Sequence, residues 1–131
     1  MIVLLLLLSF TALSHQKPDS YELAEELTKS YTSAINMVRV KKLFNPSYTR
    51  HSCDGTVEIL SLSEIVEKKI HNINIWNGRV SRAVFNSPED QLELRFDVED
   101  NGIKGRYYRF LAIKEEYKYV LYEEWCKHIS N

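Results

Sequence analysis

The stretch QLELRFDVEDNG, Gln91 to Gly102, decides the fold. Leu92, Leu94, Phe96 and Val98 alternate strictly with Glu93, Arg95, Asp97 and Glu99, which predicts a strand with one apolar and one charged face. Asp100-Asn101-Gly102 then gives a hairpin signal, because Asn and Gly accept the positive backbone angles of a type I′ turn. A further strand runs from Ile103 to about Lys114, the polar Glu115-Glu116 makes a second tight turn, and Tyr117 to Trp125 forms the next strand. Upstream, Val80 and Ala83-Val84-Phe85 supply another, so a strand meander fills the C-terminal part of the chain.

Before Trp76 the period is helical. Leu23, Leu27, Tyr31, Ile35 and Val38 fall on one apolar stripe, while Glu22, Glu25, Glu26, Lys29 and Ser33 cover the remaining surface. Asp19 with Glu22 makes a capping-box pattern, so one helix is expected from about Ser20 to Met37. Val40 to Phe44 adds a short helical turn, stopped at Asn45-Pro46 by the missing amide hydrogen. Tyr48 to Cys53 reads as a short strand and Asp54-Gly55 as a turn. Leu62, Ile65, Val66 and Ile70 mark a second helix that starts at Ser61 or Ser63 and ends near Asn72. Helices first and an antiparallel meander after them is the order of an α+β domain with its helices on one sheet face.

The chain has 131 residues, with 17 basic and 18 acidic side chains and a net charge of -1. That balance provides no basic field to gather phosphates, so nucleic acid is not an expected partner. Met1 to Leu8 is an unbroken apolar run, and Ala12 and Ser14 are the small residues that precede a signal-peptidase cut. Residues 1–14 therefore read as a signal peptide and 15–131 as one secreted, extracellular domain. The apolar run falls well short of the roughly 20 residues that span a bilayer, so no stable membrane insertion is expected. In an oxidising compartment the two cysteines, Cys53 and Cys126, have one intramolecular pairing open to them; free thiols or an intermolecular bridge are the alternatives. His15, His51, His71 and His128 have no metal-ligand spacing, and there is neither a phosphate-binding glycine loop nor a nucleophile elbow, so no metal and no cofactor is expected.

The leader, the long helix, the short strand ending at Cys53-Asp54-Gly55, the second helix and the late strands with Cys126 near their end resemble the NTF2-like superfamily. The likeness is greatest to its small secreted members known from nematodes. It implies an NTF2-like (cystatin-like) cone, with N-terminal helices packed on a curved antiparallel sheet, and an apolar pocket between the first helix and the sheet. Tyr31, Ile35, Phe96 and Trp125 are the candidates to bind a ligand there. The steroid isomerases of the superfamily carry a Tyr on the first helix and an Asp after the first strand, and Tyr31 and Asp54 have a similar spacing. An isomerase- or dehydratase-type enzyme is therefore the alternative to the leading expectation, a non-enzymatic domain that binds a small apolar ligand or a protein.

Adjacent Tyr107 and Tyr108 must point to opposite sheet faces, and outward aromatic residues make the outer face the expected homodimer contact. Arg79, Arg82, Arg106 and Arg109 make a basic patch only if the strands align them, and Glu93, Asp97, Glu123 and Glu124 are expected to neutralise it through cross-strand pairs. Cleavage after Ser14 predicts that protein recovered from the medium of a eukaryotic secretory host begins at His15. N-terminal sequencing checks this, and a chain that still carried Met1 would refute it.

Overall fold

The computed structural model describes residues 19–34, 36–68, 77–86, 90–100 and 103–129. The leader with its cleavage site, Ile35 and the Asn101-Gly102 turn lie outside the described residues. Helix α1 (Ser20–Thr32) is capped as expected, the Asp19 carboxylate accepting from the Glu22 amide at 2.8 Å, and buries Ala24, Leu27, Thr28 and Tyr31. It stops five residues short of Met37. The hydroxyls of Thr32 and Ser33 both donate to the Lys29 carbonyl, which engages the end of the helix locally. Asn36 then starts a new helix, α2 (Met37–Leu43), by accepting from the Arg39 amide at 3.1 Å. Val38, read as part of the first stripe, is consequently exposed.

Strand β1 (Phe44–His51) begins directly at the end of α2, earlier than the expected Tyr48, and the turn after it holds Gly55 at a φ of 91°, a value that glycine adopts without a Cβ penalty. Strand β2 (Val57–Leu60) has only four residues, with its apolar Val57 and Ile59 on the exposed face, and its pairing with β1 defines it. Helix α3 (Leu62–Lys68) opens with reciprocal hydrogen bonds between Ser61 and Glu64, both 3.2 Å, the geometry of a capping box.

The meander follows as β3 (Gly78–Asn86), β4 (Gln91–Asp100), β5 (Ile103–Glu115) and β6 (Lys118–His128). The strand order is β2-β1-β6-β5-β4-β3, in one curved, unclosed sheet that the helices cover. It is mixed rather than wholly antiparallel: β1 runs parallel to β6, because the chain enters it from a helix and not through a hairpin with its neighbour. Leu92, Leu94, Phe96 and Val98 all point into the core, as their alternation predicts, opposite Tyr31, Phe44 and Tyr48 from the helical side and β1. The register shifts between Val80 and Arg82, between Val98 and Glu99, and between Leu111 and Ala112 are the irregularities that bend such a sheet. At Gly78 the β3 backbone lies so close to β4 that a Cβ would run into the Asp97 carbonyl oxygen.

Cys53 and Cys126 are joined by a disulfide, with Cα atoms 4.7 Å apart. It ties the turn after β1 to the end of β6, the one intramolecular pairing open to the two cysteines. The link spans 73 residues. Closing a loop of that length removes unfolded-chain entropy worth about 4 kcal/mol in the chain-entropy treatment, and native bridges contribute roughly 2–5 kcal/mol. Replacing both residues by alanine should lower stability in urea by an amount in that range while the fold persists in the absence of denaturant. A double variant as stable as the parent would show that the bridge adds nothing.

Candidate functional site

The cone has a filled deep end and an open mouth. At the deep end Glu124 of β6 has no solvent exposure, and one of its oxygens, Oε1, accepts hydrogen bonds from the hydroxyls of Tyr31 in α1 and Tyr48 in β1, each at 2.9 Å. The other, Oε2, is buried without a hydrogen-bond partner among the described residues. Burial raises the Glu124 pKa, against the opposing pull of Arg50 and of the two tyrosine hydroxyls. Burial and the neighbouring carboxyl also push both tyrosines well above their ordinary range. The space between Leu27, Tyr31, Leu94, Phe110 and Leu121 is too small for a water molecule. The rings of Tyr31, Phe44, Tyr48 and Phe110 close this end through tilted and edge contacts at centroid distances of 4.8–5.8 Å.

At the mouth, a cavity of about 640 Å³ opens between α1, α2, the end of β3 and the β5–β6 turn. Its floor is apolar: Leu23 and Leu27 from α1, Leu43 from α2, and Phe85 and Tyr119, whose rings lie 6.0 Å apart. Its rim carries Arg39, Lys42, Lys114 and Lys118 and, among the described residues, one acid, Glu26. Two of these cations are held by backbone carbonyls, Arg39 donating to Ser33 at 2.9 Å and Lys118 to Lys42 at 3.4 Å. None of the four is in an ion pair among the described residues, where the pairs join His51 to Glu123, Lys68 to Glu58 and Arg95 to Asp97.

The residues singled out in the sequence are distributed differently. Tyr31 is in the filled core, and Phe96 is buried in the sheet; neither lines the mouth cavity. Trp125 is on the outer face, stacked on His51 at 5.1 Å with the Arg109 guanidinium 5.5 Å from its ring centroid. Asp54 stands in solvent in the turn after β1, where Oδ1 accepts from the Thr56 amide at 2.9 Å. That hydrogen bond lowers its pKa, the opposite of what burial does to a general base. The structure therefore does not bring Asp54 to Tyr31; Glu124 takes the place beside the phenol. Glu124, grouped by sequence with the outward acids, is the main correction. It lies two residues before Cys126 on the same strand face, and that shared parity with a bridged cysteine was the available signal for an inward side chain.

On the outer face the register aligns Arg82, Arg95 and Arg109 with Trp125 and His51 in one cross-strand row. Arg79 lies opposite Asp97 and Arg106 opposite Val98, so they are outside that row. Arg95 is ion-paired with Asp97 at 2.7 Å and lies 3.9 Å from the Tyr107 ring centroid. A two-fold pairing centred on this row would set guanidinium against guanidinium.

The buried carboxyl makes a pH prediction. Folded Glu124 keeps its proton to higher pH than it does in the unfolded chain, where it titrates near 4.5. Above that pH the folded state binds more protons, so stability falls as pH rises, by about 1.4 kcal/mol for each unit of raised pKa, until the folded carboxyl has ionised. Asp54 and Glu64, with lowered pKa values, contribute the reverse slope, and theirs lies below this window. Glu124→Gln should remove the decline, read as the difference between wild-type and variant urea midpoints from about pH 5 to 8. A difference that did not change with pH would refute the assignment.

No family model matches the sequence, and no curated protein does. Solved structures do. The chain is similar to an NTF2-like protein of unknown function from Silicibacter pomeroyi DSS-3, at 10% identity and a TM-score of 0.60 over 82% of this chain and 94% of that one. It is similar to an uncharacterized protein with a cystatin-like fold from Caulobacter vibrioides, at 13% identity and a TM-score of 0.57 over 86% and 92%. An NTF2-like protein of unknown function from Shewanella baltica OS155 matches at 13% identity and a TM-score of 0.54 over 85% and 94%. At such identities the likeness is one of fold and transfers no activity. This chain has the α+β NTF2-like cone.

Proposed function

We propose that this protein is a secreted, non-enzymatic binding domain that holds a small ligand with an apolar body in the cavity at the mouth of its cone. The observation that carries the reading is the division of the cone: the deep end is packed around Tyr31, Tyr48 and Glu124, and about 640 Å³ with an apolar floor stays open above it. That volume lies within the roughly 300–1,000 Å³ of small-molecule sites. The Cys53–Cys126 bridge suits an oxidising compartment and supports the extracellular part of the reading. The leader, the Cys53-Asp54-Gly55 turn and Cys126 support kinship with the small secreted NTF2-like proteins of nematodes.

Titration of the disulfide-bonded protein with the neutral fluorescent probe phenylnaphthylamine tests the site. Binding should saturate at one probe per chain. Ser30 lines the cavity from an exposed position on α1, so Ser30→Trp should weaken binding at least tenfold without changing the circular dichroism spectrum. Probe binding that Ser30→Trp leaves unchanged would place the ligand elsewhere and overturn the proposal.

A further inference from the structure

We infer that the ligand of the mouth cavity is an amphipathic anion: one acidic head group, a carboxylate or its sulfonate or phosphate equivalent, on an apolar aliphatic or aromatic body. The inference rests on the reading of this cavity as a ligand site and adds to it the charge of the occupant. Arg39, Lys42, Lys114 and Lys118 come to one rim from two different parts of the chain, α2 and the β5–β6 turn. Among the described lining residues Glu26 is the only acid, so these residues carry three more positive than negative groups, on a chain whose net charge is -1. Like charges gathered in this way repel one another unless an anion sits among them.

Among the described residues the rim cations have no carboxylate partner. Elsewhere His51, Lys68 and Arg95 each have one. The backbone carbonyls that hold Arg39 and Lys118 position these groups without neutralising them. The floor decides between a free inorganic anion and an anion with a hydrocarbon body. Leu23, Leu27, Leu43 and Phe85 give an inorganic ion nothing to pair with, whereas an apolar body laid on them leaves water as its head group meets the rim. A neutral apolar ligand would use the floor and leave all four cations uncompensated.

The test compares phenylnaphthylamine with anilinonaphthalene sulfonate, which has the same aromatic body and adds one anionic group. The sulfonate should bind one per chain at least tenfold more tightly, and its advantage should shrink with added salt. Lys114 and Lys118 are exposed at the ends of β5 and β6, so Lys114→Glu/Lys118→Glu is expected to fold. In that variant the preference for the sulfonate should fall below threefold while the affinity for the neutral probe stays within twofold of the parent, which also reports that the cavity is intact. Equal affinities of the two probes for the parent would overturn the anionic assignment and leave the cavity reading standing. Failure of both probes to bind at a saturable site would overturn the cavity reading, and this inference with it. Octanoate should displace the sulfonate from the parent while octanol at the same concentration does not; displacement by both alike would again refute a requirement for charge.

Discussion

Glu124 lies at zero exposure in the centre of the cone because Tyr31 from the first helix and Tyr48 from the first strand both donate to the same carboxyl oxygen. An isolated buried carboxylate would cost several kcal/mol, and the raised pKa is the way the site limits that cost. The two hydroxyls reach the same oxygen only if α1 lies across the sheet at one position and β1 pairs with β6 in one register. The aromatic contacts among Tyr31, Phe44 and Tyr48 set the same two positions by shape. A core of hydrocarbon alone would tolerate sliding of the helix, whereas a buried polar trio loses its hydrogen bonds when one member moves.

That constraint also divides the interior. With large aromatic rings converging on Glu124, the deep cone is filled, and the open cavity lies toward the β5–β6 turn. The open space is left there, between apolar helix positions and a turn in which Glu116 takes a φ of 59°. The disulfide lies at the far end of β6 from that turn, between Cys53 and Cys126, so the staple and the mouth are at opposite ends of the same strand. One end of the cone is thereby fixed while the other stays open.

Much of the fold was legible because local chemistry and tertiary packing agree. The alternation in β4, the capping box of α1 and the even cysteine count each name their element without reference to the rest of the chain. The failures have specific causes. The helix from Ser20 was expected to reach Met37 because its stripe continues through Ile35 and Val38, but hydroxyls at Thr32 and Ser33 engage the last turn and Asn36 begins a new one. In β6 the register shift opposite Leu111 and Ala112 leaves Tyr122 unpaired, so Leu121 and Glu124, three residues apart, both enter the core. Alternation counted from Leu121 misses that step, whereas alternation counted back from Cys126 puts Glu124 inside; the expectation that Glu124 neutralises an arginine patch uses neither.

The sequence by itself determined the elements that depend on near neighbours: the capped helix, the charged and apolar faces of the meander, the two-cysteine bridge and the α+β order that suits a cone. Tertiary structure alone decided the parallel contact of β1 with β6, the burial of Glu124 beneath two tyrosines and the gathering of Arg39, Lys42, Lys114 and Lys118 at one mouth. Each of these brings together residues tens of positions apart in the chain. Their proximity depends on strand register and on where the helices leave the sheet, quantities that no local pattern of residue types encodes.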